Sequence, residues 1–121
     1  MSVTVEKAVH GEAARQDISA IATYLQEVLG QRLTALAAGV GDAKAVRQWA
    51  KGERAPRPDT ETRLRHTYQI VQLLMRFESS GTVRAWFIGM NPELEDQAPV
   101  LVLAEDPVQV MRAARAFLAD G

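Results

Sequence analysis

The stretch VRQWAKGERAPRP, Val46 to Pro58, restricts this chain more than any other. Proline lacks an N–H and clashes with the preceding turn, so Pro56 and Pro58 bar a helix from running through. Gly52 supplies a residue free to take the left-handed conformation that ends one. Upstream, Gly39, Val40, Gly41 and Asp42 form a tight turn with an apolar residue to pin it, and Asp42 is a good N-cap. The helix held between these signals is short. It places Ala45, Val46, Trp49 and Ala50 on one face and Lys44, Arg47, Gln48 and Lys51 on the others. The first face can be buried, and the second is left to touch solvent or a partner. A basic helix that follows an apolar one across a glycine turn reads as the second helix of a helix-turn-helix. In that motif the second helix lies in the major groove, where Arg, Lys and Gln reach base edges and phosphates. An ordinary amphipathic helix with a solvated basic face would carry the same pattern.

The flanking segments read as helices too. From Asp17 to Leu29 the apolar residues Ile18, Ile21, Ala22, Leu25, Val28 and Leu29 keep the three-and-four spacing of a helix burying one stripe, and Gly30 closes it. Leu33, Leu36 and Ala37 continue the period in a shorter helix to about Ala38. After the prolines, Asp59 or Thr60 caps a long helix to about Phe77, with two apolar stripes. Leu64, Tyr68, Val71 and Met75 make one; Ile70, Leu74 and Phe77 make the other. A surface helix needs one stripe, so the extra one must meet another part of this chain or another copy of it. We expect it to contribute to a homodimer, since helix-turn-helix readers commonly address two half-sites. Ser79, Ser80 and Gly81 break that helix. Thr82 caps a short one presenting Val83, Trp86, Phe87 and Met90, which Asn91 and Pro92 stop. The run Val100 to Leu103 after Pro99 suits a buried strand or one helical turn, and periodicity does not decide between them. Asp106 and Pro107 then open a final helix with Val110, Met111, Ala114, Phe117 and Leu118 on one face. The expectation is an all-α chain: an arm over 1–16, a helix-turn-helix module over 17–78 and a small helical module over 79–121.

Composition limits the function. At 121 residues and 47% hydrophobic content, the chain has material for one core or a small core with a helical extension. With no cysteine there is neither a disulfide framework nor a thiolate zinc site. No apolar run is long enough for a signal peptide or membrane span, so a cytoplasmic protein is expected. His10 has no obvious partner, and His66, beside Arg65 and away from any second His, reads as a solvated side chain and not a ligand; there is no nucleophile with a His partner, no metal-spaced cluster and no glycine-rich phosphate loop. Neither catalysis nor a cofactor is expected. The net charge of −1 conceals a segregation of sign. From Lys44 to Arg65 stand seven bases and three acids, and from Trp86 to Asp106 five acids and no base. Two surfaces with different partners would explain this, as would two solvated faces.

The stretch AWFIGMNPELEDQAPVLVL, Ala85 to Leu103, resembles the toxin-binding domain of Xre/MbcA/ParS-type antitoxins. That pattern has an alanine–tryptophan pair, an Asn-Pro-x-Leu step, and a proline followed by apolar residues before a last helix. Here the matching residues are Ala85, Trp86, Asn91, Pro92, Leu94, Pro99, Leu101 and Leu103. With the upstream Xre-like helix-turn-helix, the resemblance covers roughly Asp17 to Gly121. It departs at Asp96, where the pattern usually has a glycine before the proline. The resemblance implies an all-helical, dimeric partner of a RES-domain toxin that acts on NAD, with binding to its own operator as well.

From their spacing and the net positive stretch, Lys44, Arg47 and Gln48 are expected to approach base edges and Lys51, Arg54 and Arg57 to contact phosphates. A toxin would meet Trp86, Asn91, Glu93, Leu94, Glu95 and Asp96, with Trp86 and Asn91 setting the shape of the module and the others at the contact. Read from the residues alone, Asn91 bonds backbone in a turn, and Pro92 and Pro99 bracket a loop of fixed shape that holds the carboxylates. Trp86 and Phe87 read more simply as core. A stand-alone transcriptional regulator, whose C-terminal module dimerises it or senses a ligand, is the alternative to an antitoxin.

Overall fold

The computed structural model describes residues 17–120; the expected arm, with His10, lies outside them. The described residues form seven α-helices and no strand, in agreement with the expected all-α class. They are α1 Ile18–Leu29, α2 Gln31–Ala38, α3 Ala43–Ala50, α4 Pro58–Met75, α5 Ser80–Ile88, α6 Pro99–Val102 and α7 Pro107–Asp120, with a 3₁₀ turn at Pro92–Leu94.

The helix ends follow from local chemistry. Gly39 takes φ 79° after α2. The Val40 N–H then donates to the Ala35 carbonyl and the Gly39 N–H to Leu36, so orphan carbonyls at the end of α2 are satisfied. Gly52 repeats this after α3 at φ 71°, with Glu53 N–H donating to Gln48 and Gly52 N–H to Trp49. The Asp42 carboxylate accepts from Lys44 N–H at 2.9 Å, and the Asp106 carboxylate from Gln109 N–H at 3.1 Å. Two starts differ from expectation. Helix α4 opens at Pro58 rather than behind a cap at Asp59 or Thr60. The proline that blocks continuation of one helix is well suited to the first position of the next, where its missing N–H costs nothing. Helix α5 is capped by Ser79, which accepts from Thr82 N–H, so Ser80 and Gly81 lie inside the helix that Thr82 was expected to start. The run after Pro99 is a helical turn, not a strand.

A single apolar cluster runs from Ile21 to Ala114 and takes residues from every one of the seven helices. Helices α1, α2 and α3 pack on one another, and α4 packs on α1, α2, α5 and α7. That placement resolves the two stripes of α4. Leu64, Tyr68 and Val71 are buried, and so are Ile70, Leu73 and Leu74. Both faces are therefore used within one chain, and the need for a second copy to cover them disappears. Phe77, expected to end the second stripe, lies beyond the helix and is 52% exposed. In α2 the buried face is Thr34, Ala35, Ala37 and Ala38, while Leu36 points outward. Thr34 can take an interior position because its hydroxyl donates toward the Leu25 and Gly30 carbonyls.

Three polar side chains tie the helices together in ways that spacing alone does not reveal. Thr23 Oγ1 on α1 lies 3.3 Å from the Ala50 carbonyl at the end of α3. Arg63 on α4 donates to the Ala38 carbonyl at the end of α2. Arg84 on α5 donates to Val28 O near the end of α1 at 2.8 Å, linking residues 56 apart in sequence. The last two place a guanidinium at the negative end of a helix.

Candidate functional site

The basic surface is built on α3. Val46 and Trp49 are fully or nearly buried, and Ala45 with them, which fixes the rotation of the helix against α1 and α2. The residues between are turned out: Lys44, Arg47 and Lys51 are exposed, as are Arg54 and Arg57 in the loop that follows. Gln48 is half-buried, and its side-chain oxygen lies 3.5 Å from Arg54 Nη1, at the long limit of a hydrogen bond. Not all seven bases of this stretch belong to the surface. Arg63 is occupied with the Ala38 carbonyl, and Arg65 pairs with Glu61 one turn earlier at 3.2 Å. Five exposed cations remain, on a helix and loop held by two left-handed glycines.

The acidic surface is the loop between α5 and α6. Asn91 is buried and organises it: its side chain accepts from Glu93 N–H, its carbonyl accepts from Leu94 and Asp96 N–H, and its own N–H donates to the Gln97 carbonyl. This one residue closes the loop, leaving the side chains of Glu93, Glu95 and Asp96 exposed. Glu95 and Asp96 both have positive φ, 55° and 63°. The backbone at Asp96 is thus left-handed, a conformation that suits glycine and that aspartate is among the side chains to tolerate.

Leu94 corrects the expectation of a surface anchor. It is only 3% exposed and belongs to the apolar cluster, because the 3₁₀ turn packs against α7 and directs it inward. Trp86 and Phe87 are core residues, as the simpler reading held. Their rings meet edge to face at 5.0 Å, and Phe117 of α7 lies 6.3 Å from Trp86. The Trp86 indole N–H is buried and meets no acceptor among the described residues.

Beside Trp86 a groove of about 310 Å³ opens between α5, the loop and α7. It is bordered by Met90, which is 82% exposed, and by Glu93, Phe117 and Asp120. A second groove of about 260 Å³ lies between α4 and α7, lined by His66, Gln69, Val108, Met111 and Arg115. His66 is half-buried there rather than solvated, and desolvation lowers its pKa below the usual 6.5. Among the described residues no three His, Asp or Glu side chains gather as a metal site, and no helix is long and apolar enough to cross a membrane.

Sequence reasoning missed Thr23, Arg63 and Arg84 as residues that hold the surfaces in place. A threonine or arginine on a helix reads as a solvent residue, and nothing in its spacing shows which distant carbonyl it will meet. No family model, curated protein or solved structure matches the chain.

Proposed function

We propose that the chain is an antitoxin of a type II toxin–antitoxin system, a cytoplasmic protein that neutralises a RES-domain, NAD-consuming toxin and represses its own operon. The observation that carries the reading is the pair of exposed surfaces of opposite sign. Five cations stand on and beside α3, and three carboxylates stand on the loop closed by Asn91. The α2–turn–α3 unit is read as the helix-turn-helix, with Lys44, Arg47 and Gln48 toward base edges and Lys51, Arg54 and Arg57 toward phosphates. The loop lies in the stretch whose residue order resembles the toxin-binding pattern. No catalytic role is assigned to any residue.

Binding by two half-sites asks for a homodimer. Both α4 stripes are interior, so a dimer would have to form through another surface, and sedimentation at micromolar concentration tests whether it exists. A dimer contacting about 6–10 phosphates would lose on the order of 10³–10⁵ in DNA affinity between low and moderate salt. Titration of labelled upstream DNA at two salt concentrations measures this. Equal, weak binding of wild type and Arg47→Ala to every duplex refutes specific recognition. Co-expression with the adjacent reading frame tests the antitoxin role directly: the chain should co-purify with that product and restore growth. The alternative, a stand-alone regulator that senses a small ligand, draws on the α4–α7 groove around His66, and an unrelated neighbouring gene would favour it.

A further inference from the structure

The groove between α5, the Asn91-closed loop and α7 has a lining of mixed character. Trp86, Phe117, Ala113 and Ala116 provide an apolar floor, and the charged residues at it are Glu93 and Asp120, with no base among those that line it. An acidic segment would be repelled by both carboxylates, and nucleic acid is excluded for the same reason. A purely aliphatic plug would cover the floor and leave the rim charges without counterparts. A long basic side chain matches both parts. Its methylene stem packs on the rings and alanines, its cation is attracted to the aromatic quadrupole, and its head reaches the carboxylates. Among the described residues no base lines the groove; Arg84, Arg112 and Arg115, on the helices that wall it, lie outside the lining.

We propose that this groove captures an arginine or lysine side chain of the partner protein, with Glu93 and Asp120 pairing with the cation and Trp86 and Phe117 packing on its stem. The proposal rests on the toxin-partner reading and adds to it the place and chemistry of the contact. The buried Leu94 is thereby replaced, as the expected anchor, by a pocket that receives one.

The chain has two tryptophans, Trp49 in the core beneath α3 and Trp86 at the groove. Labelling the full-length protein with 5-fluorotryptophan gives one fluorine signal for each, assigned with Trp49→Phe. Titration with the purified product of the adjacent toxin gene should move the Trp86 signal and leave that of Trp49 in place. Combining Glu93→Gln with Asp120→Asn should weaken binding about 10- to 100-fold. Ala85→Arg, at an exposed position lining the groove, should do the same by supplying a competing cation from the chain itself. Thermal melting checks that these surface variants remain folded. If the toxin binds and both variants bind it as tightly as wild type, the groove proposal is wrong and the antitoxin reading stands. If wild type does not bind the toxin at all, both fall. If the Trp86 signal moves with protein concentration alone, a second copy of this chain fills the groove and the proposal is overturned.

Discussion

Truncating Leu94 gives the sharpest test of the loop's architecture. The side chain sits within the apolar cluster, next to a backbone that Asn91 closes through its side chain, its carbonyl and its N–H. Leu94→Ala shortens a buried isobutyl side chain to methyl, which costs about 2–5 kcal/mol through lost transfer energy and the cavity left behind. The surroundings have limited means to collapse, because Pro92 and Pro99 restrict the backbone on either side. A loss of about 3 kcal/mol, divided by a urea slope of about 1.5 kcal/mol per M for a domain of this size, lowers the unfolding midpoint by about 2 M. Urea titration followed by circular dichroism measures it, with Glu93→Ala as the exposed control, expected within about 0.5 kcal/mol of wild type. Equal midpoints for Leu94→Ala and wild type would refute the burial of Leu94 and restore it as a surface anchor. On the same reasoning Leu94→Arg buries a charge and unfolds the structure around it, so lost binding to any partner in that variant would report unfolding and not a contact.

Three further expectations test other parts. Gly39→Ala should cost about 1–2 kcal/mol, because a left-handed alanine is strained, and its Cβ would meet the Arg63 guanidinium. Repeating it in an Arg63→Ala background isolates the strain, and a variant that melts with wild type in both backgrounds would contradict the turn. Asp96→Gly should relieve a left-handed side chain and stabilise by up to about 1 kcal/mol after the added unfolded-state entropy is subtracted, with Asp96→Ala below it in melting temperature. His66 has a folded pKa lowered from 6.5 by burial, so the unfolded chain takes the proton more readily. Stability should be complete above about pH 6.5 and decline as pH falls toward the lowered folded value. His66→Gln should flatten that decline in urea titrations at pH 7.5 and 5.5, and an unchanged slope would show that His66 does not contribute.

The amino-acid sequence by itself determined the elements. Asp42, Gly52 and the prolines delimit α3 because capping, left-handed φ and a missing N–H act over one turn of backbone and need no distant partner. The same holds for Asp106 and Pro107 at α7, and for the outward face of Lys44, Arg47 and Lys51, since burying Val46 and Trp49 leaves those positions no other direction. The caps of α4 and α5, at Arg57 and Ser79, were missed by two to three residues, where two local signals competed for the cap. What only the tertiary structure decided is which apolar residue meets which surface. The sequence shows that α4 has two stripes, but whether α5 and α7 or a second copy covers the further one depends on where the chain returns. Leu94, expected at a contact from the resemblance, and Leu36, expected inside from its spacing, both depart from expectation for the same reason. Leu94 is drawn inward because the 3₁₀ turn lies on α7, and Leu36 is left outward because α2 packs through Thr34, Ala35, Ala37 and Ala38. Burial is a property of the neighbours that fold over a side chain, and those neighbours come from segments too distant for periodicity to report.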